Sequence, residues 1–176
     1  METMNTDPKP EGDSKEEYTF GNDGYIYLSS LTIENLPTKL NISGYELSAK
    51  DEFHCSLVCT KDLKDKYGED IEKRIVDLFK EFTLKNKVAF TGYRNDFRLV
   101  KRGERVSVMV MCDISYLDSF FRLMKEELEI EADTQPAHVT IYTLQPNAGI
   151  GVNTHLALEA TEKIEVPDEV RTALHL

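Results

Sequence analysis

The sequence predicts an α+β domain. Two observations carry that expectation: two segments whose apolar residues recur at helical spacing, and seven or eight segments rich in β-branched and aromatic residues. With 176 residues, the chain has the length of one domain able to bury a core.

Residues 1–24 carry seven acids against Lys9 and Lys15, with Pro8, Pro10 and almost no aliphatic side chain before Tyr18. Such a stretch cannot bury enough apolar surface to offset its ordering entropy, so 1–24 is expected to be an acidic, disordered arm and 25–176 the folded domain. Tyr25 to Ile33 reads as the opening strand, Leu40 to Leu47 as a second and Phe53 to Thr60 as a third. Ile71, Ile75, Leu78, Phe79 and Phe82 then mark one stripe of an amphipathic helix. Val88–Thr91, Asp96–Lys101 and Arg105–Asp113 return to strand, with Gly103 turning the last two into a hairpin. Ser115 followed by Asp118 fits a variant of the capping box, opening a second helix along Leu117, Phe120, Phe121, Met124 and Leu128. Ala137–Leu144 and Leu156–Ile164 complete the strands, and the helices are expected to cover one face of each sheet.

The formal charge of −11 argues against a surface that tracks a long nucleic-acid backbone, although it leaves room for one small anion. No apolar run reaches the length of a membrane span, and the N-terminus lacks the order of a signal peptide. Cys55, Cys59 and Cys112 form no zinc-binding set and read as buried, reduced thiols, which points to a cytoplasmic protein with no metal and no membrane contact. A monomer is expected.

The chemistry resides in His54-Cys55-Ser56 and His138-Val139-Thr140. Residues two apart in a strand share a face, so each strand offers one imidazole beside one hydroxyl. Interior histidines satisfied by a neighbouring hydroxyl would produce the same pattern. If the strands lie side by side, two imidazoles flank one substrate atom and can act as a base and acid pair, since imidazole titrates near neutrality. Ser56 and Thr140 could then donate to the non-bridging oxygens of a phosphate, where charge grows in the transition state. No step of that scheme requires a metal or other cofactor.

Paired tripeptides of this kind, 84 positions apart, resemble the two-histidine (2H) phosphoesterase superfamily, whose LigT-like members include RNA-end cyclic phosphodiesterases. The similarity extends to the opening strand, to Phe53 before the first histidine with a helix after it, and to Pro136 before the second, and covers about Tyr25 to Ile164. Two departures are Ser56 where Thr is commoner, and Ala137 between Pro136 and His138. The resemblance implies a bilobal fold with two pseudo-symmetric antiparallel sheets, helices on the outer faces and a central groove. It assigns catalysis to His54, Ser56, His138 and Thr140, and implies hydrolysis of a 2′,3′-cyclic phosphate or 2′–5′ phosphodiester in a nucleotide or short RNA end. An inactive 2H-like module binding a nucleotide or protein, and an RNA ligase using the same residues, are the alternatives.

Three further residues are candidates for substrate binding. Tyr142, two after Thr140, either stacks on a base in the groove or packs as an ordinary tyrosine. Tyr93 and Arg94 belong to the stretch 85–105, where seven bases outnumber two acids, and which either approaches the groove or is simply a solvated hairpin. His155 and His175 lack a following hydroxyl and read as surface histidines, while Gly149 and Gly151 read as a flexible turn that could edge the groove.

Overall fold

Residues 18–21, 23–146 and 148–176 are described in this computed structural model, and they form nine strands and five helices. In chain order these are β1 (Tyr18–Phe20), β2 (Tyr25–Leu31), β3 (Lys39–Ile42), β4 (Tyr45–Ala49), β5 (Phe53–Cys59), α1 (Thr60–Tyr67), α2 (Ile71–Thr83), β6 (Phe90–Arg102), β7 (Arg105–Ile114), α3 (Leu117–Leu128), β8 (His138–Thr143), α4 (His155–Glu159), β9 (Glu162–Ile164) and α5 (Asp168–Ala173). The strands join in one antiparallel sheet in the order β1-β2-β5-β8-β7-β6-β9, with the β3–β4 hairpin attached to β8 through β4.

The α+β class is therefore observed, but the strands form one sheet where two were expected. β5 and β8 lie side by side, and their backbones pair at Cys55 and Val139, closing what would otherwise be two exposed sheet edges. That single register pair is the whole of the β5–β8 ladder. Toward one end of β8, Ser48 and Ala49 of β4 take over the pairing. Toward the other end the backbones diverge.

Both helical stripes are buried as their spacing predicts: Ile71, Ile75 and Phe79 in α2, and Leu117, Phe120, Phe121 and Met124 in α3. They belong to one cluster with Val170 and Leu174 at the C-terminus and with Leu28, Cys55, Leu57 and Val139 of the sheet, so the helices cover one sheet face. On the opposite face Ile150 and Val152 pack against Val100, Met109 and Met111. That loop is the main cover there.

Several elements differ from expectation. Residues 1–17 and 22 of the expected arm lie outside the described residues, but Tyr18–Phe20 is a strand: the Tyr18 ring meets Phe79 edge-on at 5.0 Å and its hydroxyl donates to the Val88 carbonyl at 2.7 Å. The segment Leu40–Leu47 is a hairpin, because Ser43 and Gly44 both adopt positive φ and form a two-residue turn. The two strands expected between 88 and 101 are one, β6, interrupted by register shifts against β7 between Phe90 and Gly92 and between Tyr93 and Phe97. Leu156–Ile164 splits into α4 and the short β9, since the Thr154 hydroxyl accepts the Ala157 amide at 3.0 Å and caps a helix. Ser115 does not cap α3: Tyr116 occupies that position, and the Ser115 hydroxyl instead donates to Lys87 O at 2.7 Å and accepts from the Ala89 amide at 3.0 Å.

The motif strands share one irregularity. In β5, Tyr27 faces Ser56 while Ile26 faces Val58, which leaves Leu57 as an extra residue; in β8, Met109 faces Thr140 while Val108 faces Tyr142, which leaves Ile141 extra. Each bulge follows the motif hydroxyl and reverses the alternation beyond it. Tyr142 is consequently fully buried in the helix-side cluster, with its hydroxyl donating to Pro37 O at 2.6 Å, and burial pushes its pKa up to about 12. The proposed base-stacking role of Tyr142 is thereby corrected to a packing role. Cys59, which unbroken alternation would put on the same face as Cys55, pairs with Tyr25 on the other face for the same reason.

Replacing Tyr142 by Phe strands the Pro37 carbonyl, and urea unfolding should show a loss of about 1–3 kcal/mol. A loss below about 0.3 kcal/mol would contradict the structural role.

Candidate functional site

Antiparallel pairing of Cys55 with Val139 places His54 across from Thr140 and Ser56 across from His138. The middle residues of both tripeptides face the helices, so all four motif side chains project to the opposite face. The histidines occupy diagonal positions, roughly 7–8 Å apart at the backbone. They meet in a cavity of about 330 Å³ together with Asp23, Tyr25, Tyr27, Lys50, Asn153 and the loop from Gly149 to Gly151.

His138 is buried, and its Nδ1 lies 3.0 Å from Pro136 O. A carbonyl only accepts, so Nδ1 carries the proton and Nε2 keeps a lone pair. Burial lowers the pKa of His138 more than the carbonyl raises it, which holds the ring neutral. His54 is reached by solvent and meets the edge of Tyr27 with ring centroids 4.8 Å apart. Partial desolvation, then Lys50 and then His138 bring its pKa down to about 4, while Asp23 pulls the other way. Both rings are neutral at pH 7 in the unliganded protein.

The hydroxyls differ in support. The Gln135 side chain, itself buried, donates from Nε2 to Ser56 Oγ at 2.9 Å and accepts the Cys59 amide on Oε1 at 2.9 Å. It bridges β5 where the β8 backbone has turned away, and by filling an acceptor site on Ser56 Oγ it leaves that hydroxyl's proton available to the groove. Thr140 Oγ1 has no hydrogen-bond partner among the described residues.

Lys50 enters from the segment between β4 and β5, where its amide still bonds Ile141 O at 3.0 Å. Desolvation lowers its pKa, offset in part by Glu52. An anion entering the groove would relieve both Lys50 and His54. On the β2 side Tyr25 and Tyr27 stack at 5.5 Å, the Tyr27 hydroxyl donates to Asp23, and the Tyr25 hydroxyl accepts from Asn153 Nδ2 at 3.1 Å. Desolvation and the Asp23 carboxylate keep Tyr27 protonated. The expectation that Gly149 and Gly151 could edge the groove agrees with their place in its wall; an added Cβ at Gly151 would come within 3.1 Å of Tyr25 Oη.

Tyr93 and Arg94 do not join this groove. Tyr93 packs on Phe90 at 4.6 Å and lines a separate hollow with Leu31 and Thr172, whereas the Arg94 guanidinium is engaged by Asp113, with Nε donating at 2.8 Å. The basic hairpin reaches the site only indirectly, where Arg102 donates to Gly151 O at 3.0 Å and tethers the loop. Arg98 pairs with Asp96 at 2.6 Å. His155 and His175 are exposed, as their lack of a following hydroxyl suggests.

All three cysteines are free and buried. Cys55 Sγ and Cys112 Sγ are 3.9 Å apart, but their strands flank β8, so their backbones stand roughly 9–10 Å apart, beyond disulfide reach. Of the residues missed by sequence reasoning, Tyr25 and Tyr27 alone carried a signal, the two-residue spacing shared with the motifs. Lys50, Gln135 and Asn153 come from turns and loops whose positions no periodicity encodes.

Neither a family model, nor a curated protein, nor a solved structure matches this chain.

Because both histidines titrate lower in the folded chain than at the ordinary value of 6.5, the unfolded chain binds more protons below that pH. Stability should be full above pH 6.5 and fall as the pH drops through about 4. Thermal denaturation of His54→Asn should show a shallower decline over this window than the parent; an identical slope would contradict the depressed pKa of His54.

Proposed function

We propose that the chain is a metal-independent phosphodiesterase that acts on a 2′,3′-cyclic phosphate or a 2′–5′ phosphodiester in a nucleotide or RNA end, with His54 and His138 as its acid and base. The observation that carries this reading is the meeting of both tripeptides in one groove with His138 Nε2 left as an unprotonated nitrogen. In the same reading β1-β2-β5 and β8-β7-β6-β9 correspond to two lobes joined along the motif strands.

His138, neutral and held by Pro136, takes the proton from water as its oxygen bonds to phosphorus. His54 acquires a proton once a bound phosphate offsets Lys50, and gives it to the ribose oxygen as the P–O bond breaks. Each turnover leaves His138 protonated and His54 neutral, and exchange with solvent restores the starting states. Ser56, steadied by Gln135, and Thr140 donate to the non-bridging oxygens, whose charge Lys50 balances. Tyr25 and Tyr27 offer aromatic surface to a base.

Incubation with 2′,3′-cyclic nucleotides and 2′–5′ oligonucleotides in EDTA should yield turnover that His54→Ala and His138→Ala each reduce by about 10²–10⁴-fold, with unchanged far-UV circular dichroism. Full activity in either variant would remove that histidine from the mechanism, and tight binding without turnover would identify an inactive binding module.

Since catalysis needs protonated His54 and neutral His138, kcat/KM should peak below pH 6.5. Lys50→Met removes a cation that opposes protonation of His54, so the alkaline limb should move to higher pH while KM rises. An unmoved limb would contradict the coupling.

A further inference from the structure

A further hollow adjoins the histidine groove at each of its ends. Tyr27 and His54 are also walls of a hollow of about 490 Å³ that includes Thr19, Ser29, Asp51 and Glu52. Asn153 is shared with another of about 340 Å³, formed by α1, the chain entering β8 and the start of α4, with Val58, Leu63 and Phe121 on its apolar side. The three cavities follow β5 from His54 to Cys59, a span of roughly 16 Å.

Charge is distributed unevenly along that line. The centre holds Lys50, while Asp23, the one carboxylate there, is engaged by the Tyr27 hydroxyl. The hollow beside His54 has Asp51 and Glu52 and no lysine or arginine. The hollow beyond Asn153 has Asp62, Glu131 and Asp133 against Lys66, with His155 on the same wall. Arg122 and Lys125 lie in the next depression outward, so an anion leaving the groove meets Glu131 and Asp133 before it meets them. A phosphate is favoured at the histidines and disfavoured on either side, where carboxylates instead accept hydrogen bonds from hydroxyl and amino groups.

We infer that the substrate, given the phosphodiesterase reading on which this rests, is a diester with a single phosphate between two uncharged nucleosides, as in a dinucleoside monophosphate. One nucleoside occupies each flanking hollow. A mononucleoside cyclic phosphate leaves one hollow empty, and a further phosphate at either end faces carboxylates.

Four substrates test this with the full chain: 2′–5′-linked adenylyl-adenosine, the same compound with a 5′-phosphate, the same with a terminal phosphate at its other end, and adenosine 2′,3′-cyclic phosphate, each with His54→Ala as blank. The unphosphorylated dinucleoside should have the highest kcat/KM, and each added phosphate should raise KM about five- to tenfold at low salt, with the penalty shrinking as salt screens it. Asp51→Asn combined with Glu52→Gln should relieve the penalty for one phosphorylated substrate, and Glu131→Gln combined with Asp133→Asn for the other. Equal or better cleavage of the phosphorylated forms, or variants that relieve neither, overturns the inference, as does His54-dependent cleavage of the cyclic phosphate alone. The absence of any His54-dependent cleavage overturns the phosphodiesterase reading beneath it.

Discussion

The pairing of Cys55 with Val139 is the contact on which the rest depends. It joins the strands of the two tripeptides and fixes their register, so that each histidine stands across from the other motif's hydroxyl. A one-residue slip would turn one tripeptide inside out, sending its imidazole and hydroxyl into the helix-side core. Cys55 and Val139 are both fully buried in that core, and a slip would expose them. The register is thus held by burial more than by the number of backbone bonds. Gln135 supplies the adjacent link, from Ser56 Oγ to the Cys59 amide, where the two backbones diverge and open the groove.

The electrostatics of the groove follow from this arrangement. Two imidazoles brought close, one buried and one beside Lys50, cannot both carry protons, and both are held neutral until an anion arrives. A bound phosphate changes the balance unequally. Desolvation is the largest cause lowering both rings, but Lys50 and His138 add to it at His54, where an anion offsets them, whereas burial alone lowers His138. In the proposed mechanism the division into acid and base follows from where the two rings sit on an otherwise similar pair of strands.

Much of this was legible in the chain because it rests on periodicity. The stripes of α2 and α3 read directly from spacings of three and four, and the alternation in His54-Cys55-Ser56 and His138-Val139-Thr140 correctly placed four side chains on one face. Alternation failed one residue later. The bulges at Leu57 and Ile141 are irregular backbone features that side-chain pattern does not report, and they turn Tyr142 to the helix-side face and Cys59 to the opposite one. Short elements were lost to the same limit: α4 reads as strand until Thr154 caps it, and Ser43-Gly44 turns one apparent strand into two. Arg94 was drawn by local charge toward a phosphate, but Asp113, nineteen residues away, claims it. Lys50, Gln135 and Asn153 reach the groove from irregular segments, where tertiary placement alone decides what a side chain meets.

The most direct measurement of the central claim is side-chain ¹H–¹⁵N NMR of the histidines during titration with a nucleoside monophosphate product. Both His54 and His138 should shift together and saturate at the same ligand concentration, with His138 in the Nδ1-protonated tautomer and His54 gaining a proton on binding, while His175, which lines a separate hollow, stays fixed. A shift in one of the pair without the other, or the Nε2-protonated tautomer at His138, would contradict a shared phosphate site between the two strands.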